Sequence, residues 1–507
     1  MNNDGKDMRR HRLLTSIAVM SATVMQVIDT TIVNVALPQM QGQLGATPDQ
    51  ISWVLTSYLI SSGIIMLLTG YFTDRLGQRL YLIISIVGFT VASLLCGIAD
   101  SLQALVIFRL LQGVFGAALV PLAQSLMIQT FPLEERGRAM AIWGMGVMIG
   151  PILGPTLGGW LTEALSWRWT FFINLPIGIF SALLSWRVVA DSDKRDRNMD
   201  WWGLLYLTMF LGCLQFVLDR GGREDWFDSS LIQMMAALSA FGFISYLWHS
   251  FDKTIHPIFT PVIFRDRNFA TASLLLAVFG MGLFGTLMLQ PMMLGPLMNY
   301  PELTIGLLLA PRGLASMFSM MLVGRFIQKV DPRWLISLGA LLFTAGTYFT
   351  TKYNLALDTF WIVFPMIIQG LGLGLVFVPL STVAFSTLEP RHASEAAGIY
   401  SVLRTIGSAI GISIVATVMT DHSQIAWNHL GGFINGNNPA LADYLAQTPI
   451  NPHAPQVPFL LAQELGRQSS MLGMLDAYSL VTWSFLLMLP LVLLLRHKKP
   501  APQKAGA

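Results

Sequence analysis

The sequence predicts an all-α membrane protein of fourteen transmembrane helices, grouped six, two and six, with both termini cytoplasmic. Three observations carry that reading. Only 12% of the 507 residues are charged while 54% are hydrophobic, about half the charge share of a soluble chain. Apolar runs long enough to cross a hydrocarbon core of about 30 Å recur along the whole length. The basic residues between those runs fall mainly on alternate sides.

Composition also excludes several classes. A net charge of +3 without any basic stretch interleaved with aromatics gives no footprint for nucleic acid. Two cysteines, Cys96 and Cys213, each inside an apolar run, rule out a disulfide framework or a thiolate metal cluster. No phosphate-binding loop, HExxH pair or nucleophile elbow occurs. An enzyme is therefore not expected, nor a metal site or any cofactor. No filter-like motif supports a channel.

The spans, in order, are 13–37, 51–72, 80–98, 103–128, 139–160, 170–190, 201–219, 231–250, 269–290, 303–325, 334–351, 358–383, 395–420 and 475–496. The first follows Met8-Arg9-Arg10-His11-Arg12. It is too long for a signal-peptide core and lacks a small-residue cleavage site, so it reads as an uncleaved helix. With the N-terminus inside, 23 of the 31 Lys and Arg lie in cytoplasmic segments. Only Arg168, Arg220, Arg223, Lys352 and Arg467 lie outside, and Arg109, Arg312 and Arg404 fall within spans. That asymmetry sets the orientation.

An internal repeat divides the chain. The segment Gly70-Tyr71-Phe72-Thr73-Asp74-Arg75-Leu76-Gly77-Gln78-Arg79 has a degenerate echo in Gly324-Arg325-Phe326 through Asp331-Pro332-Arg333. Leu133-Glu134-Glu135-Arg136 is echoed at nearly the same offset by Leu388-Glu389-Pro390-Arg391. Two landmarks sharing an offset indicate two homologous halves. The expected domains are 13–190, a six-helix bundle; 201–250, two additional helices; and 269–496, a second six-helix bundle with a periplasmic loop at 421–470.

Four motifs resemble those of the major facilitator superfamily, in its fourteen-helix drug:proton antiporter branch of the EmrB/QacA type. Gly70 to Arg79 matches the loop motif G-x-x-x-D-R-x-G-x-R. Arg109-Leu110-Leu111-Gln112-Gly113, with Gly116 and Ala117, resembles the fourth-helix motif. Gly146, Gly150-Pro151, Gly154-Pro155 and Gly158-Gly159 resemble the fifth-helix motif of exporters. Asp29 through Pro38 matches the first-helix motif of the fourteen-helix branch. The resemblance implies the major facilitator fold, multidrug export coupled to protons, and residence in the bacterial inner membrane.

Each motif also has a physical reading. Asp29 lies about sixteen residues into the first span, deep in the bilayer at 1.5 Å per residue. A carboxylate there must face a cavity, pair, or take up a proton. It is either a proton carrier or a structural acid paired with Asn34 or Arg109. Arg109 either takes part in coupling, as the motif implies, or holds helices together through carbonyls. Glycines at 146, 150, 154 and 158 share one helix face, where small residues permit close approach. The expectation is a sliding contact between the halves, with static packing as the alternative. Arg75 and Arg79 satisfy the inside-positive rule, whereas Asp74 adds nothing to it, so the resemblance makes Gly70, Asp74, Arg75, Gly77 and Arg79 a gating loop.

Asn34, Gln112, Arg312 and Arg404 are candidates for a cargo cavity whose excess of arginine over acid suits anionic or neutral lipophilic compounds. Residues 421–470, far longer than the other outside loops, are either an adaptor-docking surface or a solvated cap. In the EmrB-like subgroup that feature implies an EmrA-type periplasmic adaptor and a TolC-type outer-membrane channel. The partners expected are thus lipophilic small molecules, membrane lipid and that assembly, with no nucleic acid. Proton-coupled uptake of a small nutrient or siderophore is the alternative, because fold does not fix direction.

Overall fold

The computed structural model describes residues 2–132, 135–192, 194, 198–251, 257–258, 261–389, 392–435, 438, 439, 441, 443, 445, 454 and 456–496. Landmark residues Leu133, Glu134, Pro390 and Arg391 of the second repeat pair lie outside them.

Among the described residues the chain is helical throughout, with no strand. The first half comprises α1 (Asn2–Leu44), α2 (Pro48–Leu67), α3 (Thr69–Leu76), α4 (Gln78–Gly97), α5 (Leu102–Gly116), α6 (Leu119–Thr130), α7 (Arg136–Ala164), α8 (Trp169–Phe172) and α9 (Asn174–Val188). A hairpin, α10 (Trp201–Arg220) and α11 (Ser230–Ser250), follows. The second half comprises α12 (Arg267–Met292), α13 (Glu302–Phe326), α14 (Pro332–Thr350), α15 (Thr359–Ala384), α16 (Ala393–Gly431) and α17 (Val457–Val492).

Capping side chains fix many starts. Thr47 and Gln50 form a reciprocal capping box before α2, with Pro48 in the first turn. Asp266, Asp331 and Asp358 accept backbone N–H groups at the starts of α12, α14 and α15.

Prolines explain two breaks inside expected spans. The fourth span is two helices, α5 and α6, because Pro121 offers no N–H to the Ala117 carbonyl. The sixth is α8 and α9, because Pro176 leaves the Phe172 carbonyl in the same position. Residues 73–76, expected as a loop, are helical within α3, and the turn to α4 is the single residue Gly77, at φ +85°. Only glycine adopts that conformation freely.

Among the described residues thirteen helices are long and apolar enough to cross a membrane, so the protein is an integral membrane protein. The helix below that threshold is α14, whose hydropathy Arg333 and three threonines reduce.

Helix pairing in the two halves follows one pattern. In the first, α1 packs on α7 and α9, and α5 packs on α2 and α4. In the second, α12 packs on α16 and α17, and α15 packs on α13 and α14. The halves meet along α7 and α13, where Gly137 faces Ile327, Gly324 faces Ala141 and Gly306 faces Thr156. Trp143 of α7 stacks on Phe377 of α15 across the same boundary, with ring centroids 5.4 Å apart.

The start of α1 and the end of α17 lie at one end of the bundle. There Arg12 pairs with Glu135 at 3.0 Å, and Asn268 bonds the Arg496 backbone. At this end Ser394 of α16 touches Gln78 and Ser125 of the first half. The α10–α11 hairpin ties to both halves at the opposite end. Thr56 donates to Asp219 at 2.8 Å, and Trp226 Nε1 donates to Thr417 Oγ1 at 3.2 Å.

Two expectations are corrected. The segment 421–470 is helical at both ends, because α16 runs on to Gly431 and α17 begins at Val457. Loss of apolar character at Asp421 marks where a helix leaves lipid rather than where it stops. The glycine face of α7, expected between the halves, does not lie there. Gly150, Gly154 and Gly158 press on Val27, Thr31 and Ile32 of α1, inside the first half. The boundary between halves uses another face of α7, carrying Gly137, Gly144 and Thr156.

Candidate functional site

Five helices of the first half converge on Asp29. The acid sits midway along α1, wholly buried. Arg109 of α5 donates from Nη1 to Asp29 Oδ2 at 2.7 Å. Gln112, one turn further along α5, donates from Nε2 to Oδ1 at 2.9 Å. The spacing of three residues places both side chains on one face. Asn174, the first residue of α9 after the break, donates from Nδ2 to Oδ1 at 2.7 Å.

Further contacts hold those donors. Arg109 Nε donates to the Val54 carbonyl of α2 at 3.1 Å, and its Nη1 also donates to Gln112 Oε1 at 2.7 Å. The guanidinium lies over the Tyr58 ring, 4.4 Å from its centroid. Asn174 Nδ2 also meets Ser93 Oγ of α4 at 2.9 Å. An ionised carboxylate accepts only, and this one is surrounded by donors. Each of these polar contacts donates to a carboxylate oxygen, and Arg109 supplies the compensating charge that burial demands.

Asp29 and Arg109, singled out in the sequence, are thus brought into direct contact. Gln112, expected in a cargo cavity, is instead fully buried against Asp29. Asn34 lies exposed on α1 and takes no part in the cluster. Asn174, Tyr58 and Ser93 were not anticipated. The available signal was an asparagine two residues before a proline within an apolar run.

The residues expected to form a gating loop lie at the end where Arg12 pairs with Glu135. Gly70 crosses Glu395 of α16 so closely that a Cβ would lie 3.0 Å from that side chain. Gly77 abuts Asp191 and Lys194. Asp74 is half-buried and Arg75 exposed on α3, while Arg79 bonds the Trp186 carbonyl and lies over its ring at 5.6 Å. In the fifth-helix motif, Pro151, Pro155 and Gly159 are half-buried within α7, which runs through both prolines unbroken.

Arg312 is buried in the second half among neutral groups, not at a cavity surface. Arg404 is half-buried on α16, near Tyr400, and forms no ion pair among the described residues.

Comparison with known proteins agrees with this fold. The model described as Major Facilitator Superfamily matches residues 19–412. The chain is 32% identical to the multidrug export protein EmrB of Haemophilus influenzae, over 94% of each sequence. It is 36% identical to the fatty acid resistance protein FarB of Neisseria gonorrhoeae, over 78% of each. The crystal structure of the human organic anion transporter MFSD10 superposes with a TM-score of 0.61 at 14% identity, covering 96% of this chain and 99% of that one.

Proposed function

Because the chain belongs to the major facilitator superfamily, in its EmrB-like branch, and is a transporter rather than an enzyme, we propose that it expels lipophilic compounds across the bacterial inner membrane in exchange for protons. The observation that carries this reading is the buried Asp29–Arg109 pair. A proton on Asp29 removes the counter-charge of a buried guanidinium, so α1 and α5 must rearrange around it. Protonation is thereby coupled to conformation, which alternating access requires. The membrane potential would contribute about 2.3 kcal/mol per charge per 100 mV.

In this reading α14 is the fourteenth span and both termini are cytoplasmic, consistent with the basic residues at that end. The halves are 13–190 and 269–496, with 201–250 as an added pair. Seals at Ser394 and Gly70 close the cytoplasmic side of the form described. The cargo class follows the names of the relatives, which include multidrug export and fatty acid resistance. An EmrA-type adaptor and a TolC-type channel would receive the cargo outside.

The test is transport in proteoliposomes under an inward-acidic gradient, following internal pH as lipophilic compounds are added. Compound-triggered proton efflux in wild type but not in Asp29→Asn supports the proposal. Efflux in both would move the proton site elsewhere, and a response to none of the compounds would remove support for antiport.

A further inference from the structure

The second half contains a cation that its own side chains do not neutralise. Arg312 on α13 is 4% exposed. Its Nη1 donates to Gln290 Oε1 and its Nη2 to Thr286 Oγ1, both at 2.8 Å. The Phe343 ring lies 5.9 Å from the guanidinium. These neighbours are all neutral, and among the described residues no carboxylate pairs with Arg312. A lone charge at such depth is among the costliest features a membrane helix can carry.

Two further donors belong to the same cluster. Gln290 Nε2 donates to Gln369 Oε1 at 3.3 Å. That bond uses the oxygen of Gln369 and leaves its Nε2 buried with no acceptor among the described residues. Tyr478 of α17 lies near enough to Arg312 for their charges to interact, and its buried hydroxyl finds no partner among the described residues. An arginine, an amide and a phenol thus converge without one negatively charged acceptor. Buried donors are rarely left so in native structures.

The first half shows what such a set surrounds. A Cβ on Gly113 would strike the Tyr58 carbonyl of α2, and one on Gly370 would strike the Arg312 carbonyl of α13. Those crossings make Gln112 and Gln369 equivalent residues, each preceding its glycine. Gln112 Nε2 donates to the Asp29 carboxylate, whereas Gln369 Nε2 has no counterpart to receive it. Asn174 of α9 donates to the same carboxylate, and Tyr478 stands on α17, the helix that pairs with α12 as α9 pairs with α1. One half carries a carboxylate among donors; the other carries the donors.

We propose that Arg312, Gln369 and Tyr478 bind a small monovalent anion, a halide or a carboxylate, which serves in the second half as the Asp29 side chain serves in the first. The anion neutralises Arg312 and accepts from the amide and the phenol. The proposal does not depend on the direction of transport or on the proton site.

The test is thermal unfolding of the purified full chain in detergent, with chloride replaced stepwise by a bulky sulfonate at constant ionic strength. A ligand that binds only the folded state, at a hundredfold excess over Kd, favours that state about a hundredfold. The expected result is a saturable rise in Tm with chloride that is absent in Arg312→Gln. Should that variant fail to fold, Tyr478→Phe keeps the ring and removes one donor, and should raise the half-effective chloride concentration about tenfold. If chloride is inert but decanoate reproduces the shift with the same dependence on Tyr478, the anion is a carboxylate and the site stands. A Tm indifferent to both anions, or a shift unchanged in Tyr478→Phe and Arg312→Gln, overturns the proposal.

Discussion

Arg109 and Asp29 meet at 2.7 Å across 80 residues of sequence, and neither side chain is more than 1% exposed. A pair so deep persists only while both charges remain, since removing one strands the other. Gln112 and Asn174 add donors that fit the carboxylate but not its amide. In Asp29→Asn one carboxylate oxygen becomes an NH2 group facing N–H donors. The expected cost is about 3–5 kcal/mol, the usual penalty for breaking a buried pair. Pairing the change with Arg109→Gln should recover much of it. Unfolding of the two single variants and the double variant measures this coupling; additive losses would show that the residues do not act as a unit.

The glycine face of α7 leads to a second prediction. At Gly150 an added Cβ would lie 2.6–2.7 Å from the carbonyl carbon and oxygen of Val27, backbone that cannot swing aside. At Gly146 the obstacle is the flexible end of Met20. Gly150→Ala should therefore cost about 1–3 kcal/mol, the range for overpacking, and Gly146→Ala clearly less. Melting temperatures of the two variants decide it. Equal stability would mean that α1 and α7 separate more easily than their packing indicates.

The seal at the terminal end gives a third. Ser125 and Ser394 touch at 2.9 Å, and Trp143 stacks on Phe377 where the halves meet. Truncating Trp143 removes an aromatic contact worth about 0.5–1.5 kcal/mol beyond its buried area. Ser125→Cys, in a background carrying Cys96→Ala and Cys213→Ala, reports on the seal through an impermeant maleimide. Labelling from the cytoplasmic face should be slow, and several-fold faster when Trp143→Ala is added. Unchanged labelling would place the restraint elsewhere.

Much of this arrangement was legible in the sequence, and the exceptions share a cause. Asp29 and Arg109 stood out because charge inside an apolar run is conspicuous. Asn174 did not, because an uncharged amide near a span end resembles an interfacial residue, and only the break before Pro176 sets it at the start of α9 facing Asp29. Spacing showed that Gly150 and Gly154 share a face, yet periodicity carries no information on what lies opposite. The end of α16 reads as loop in the sequence because hydropathy reports the membrane boundary, whereas helicity continues past it.

The extended ends of α16 and α17 carry the last prediction. At 1.5 Å per residue the 39 residues of α16 span about 58 Å, nearly twice a hydrocarbon core of about 30 Å. Ile425 and Phe459 lie on the outer portions of α16 and α17, 64% and 71% exposed. Large apolar side chains so exposed on helices beyond the lipid suit a protein partner, and an adaptor is the partner proposed above. Combining Ile425→Glu with Phe459→Glu should leave transport in proteoliposomes near wild type, since neither residue touches the Asp29 cluster. In cells the same variant should lose resistance and fail to co-purify with the adaptor. Full resistance with the adaptor retained would show that docking lies elsewhere. Loss of transport in liposomes would instead assign the extension to the transport cycle itself, where α16 packs along α12 through Gly407 and Gly411.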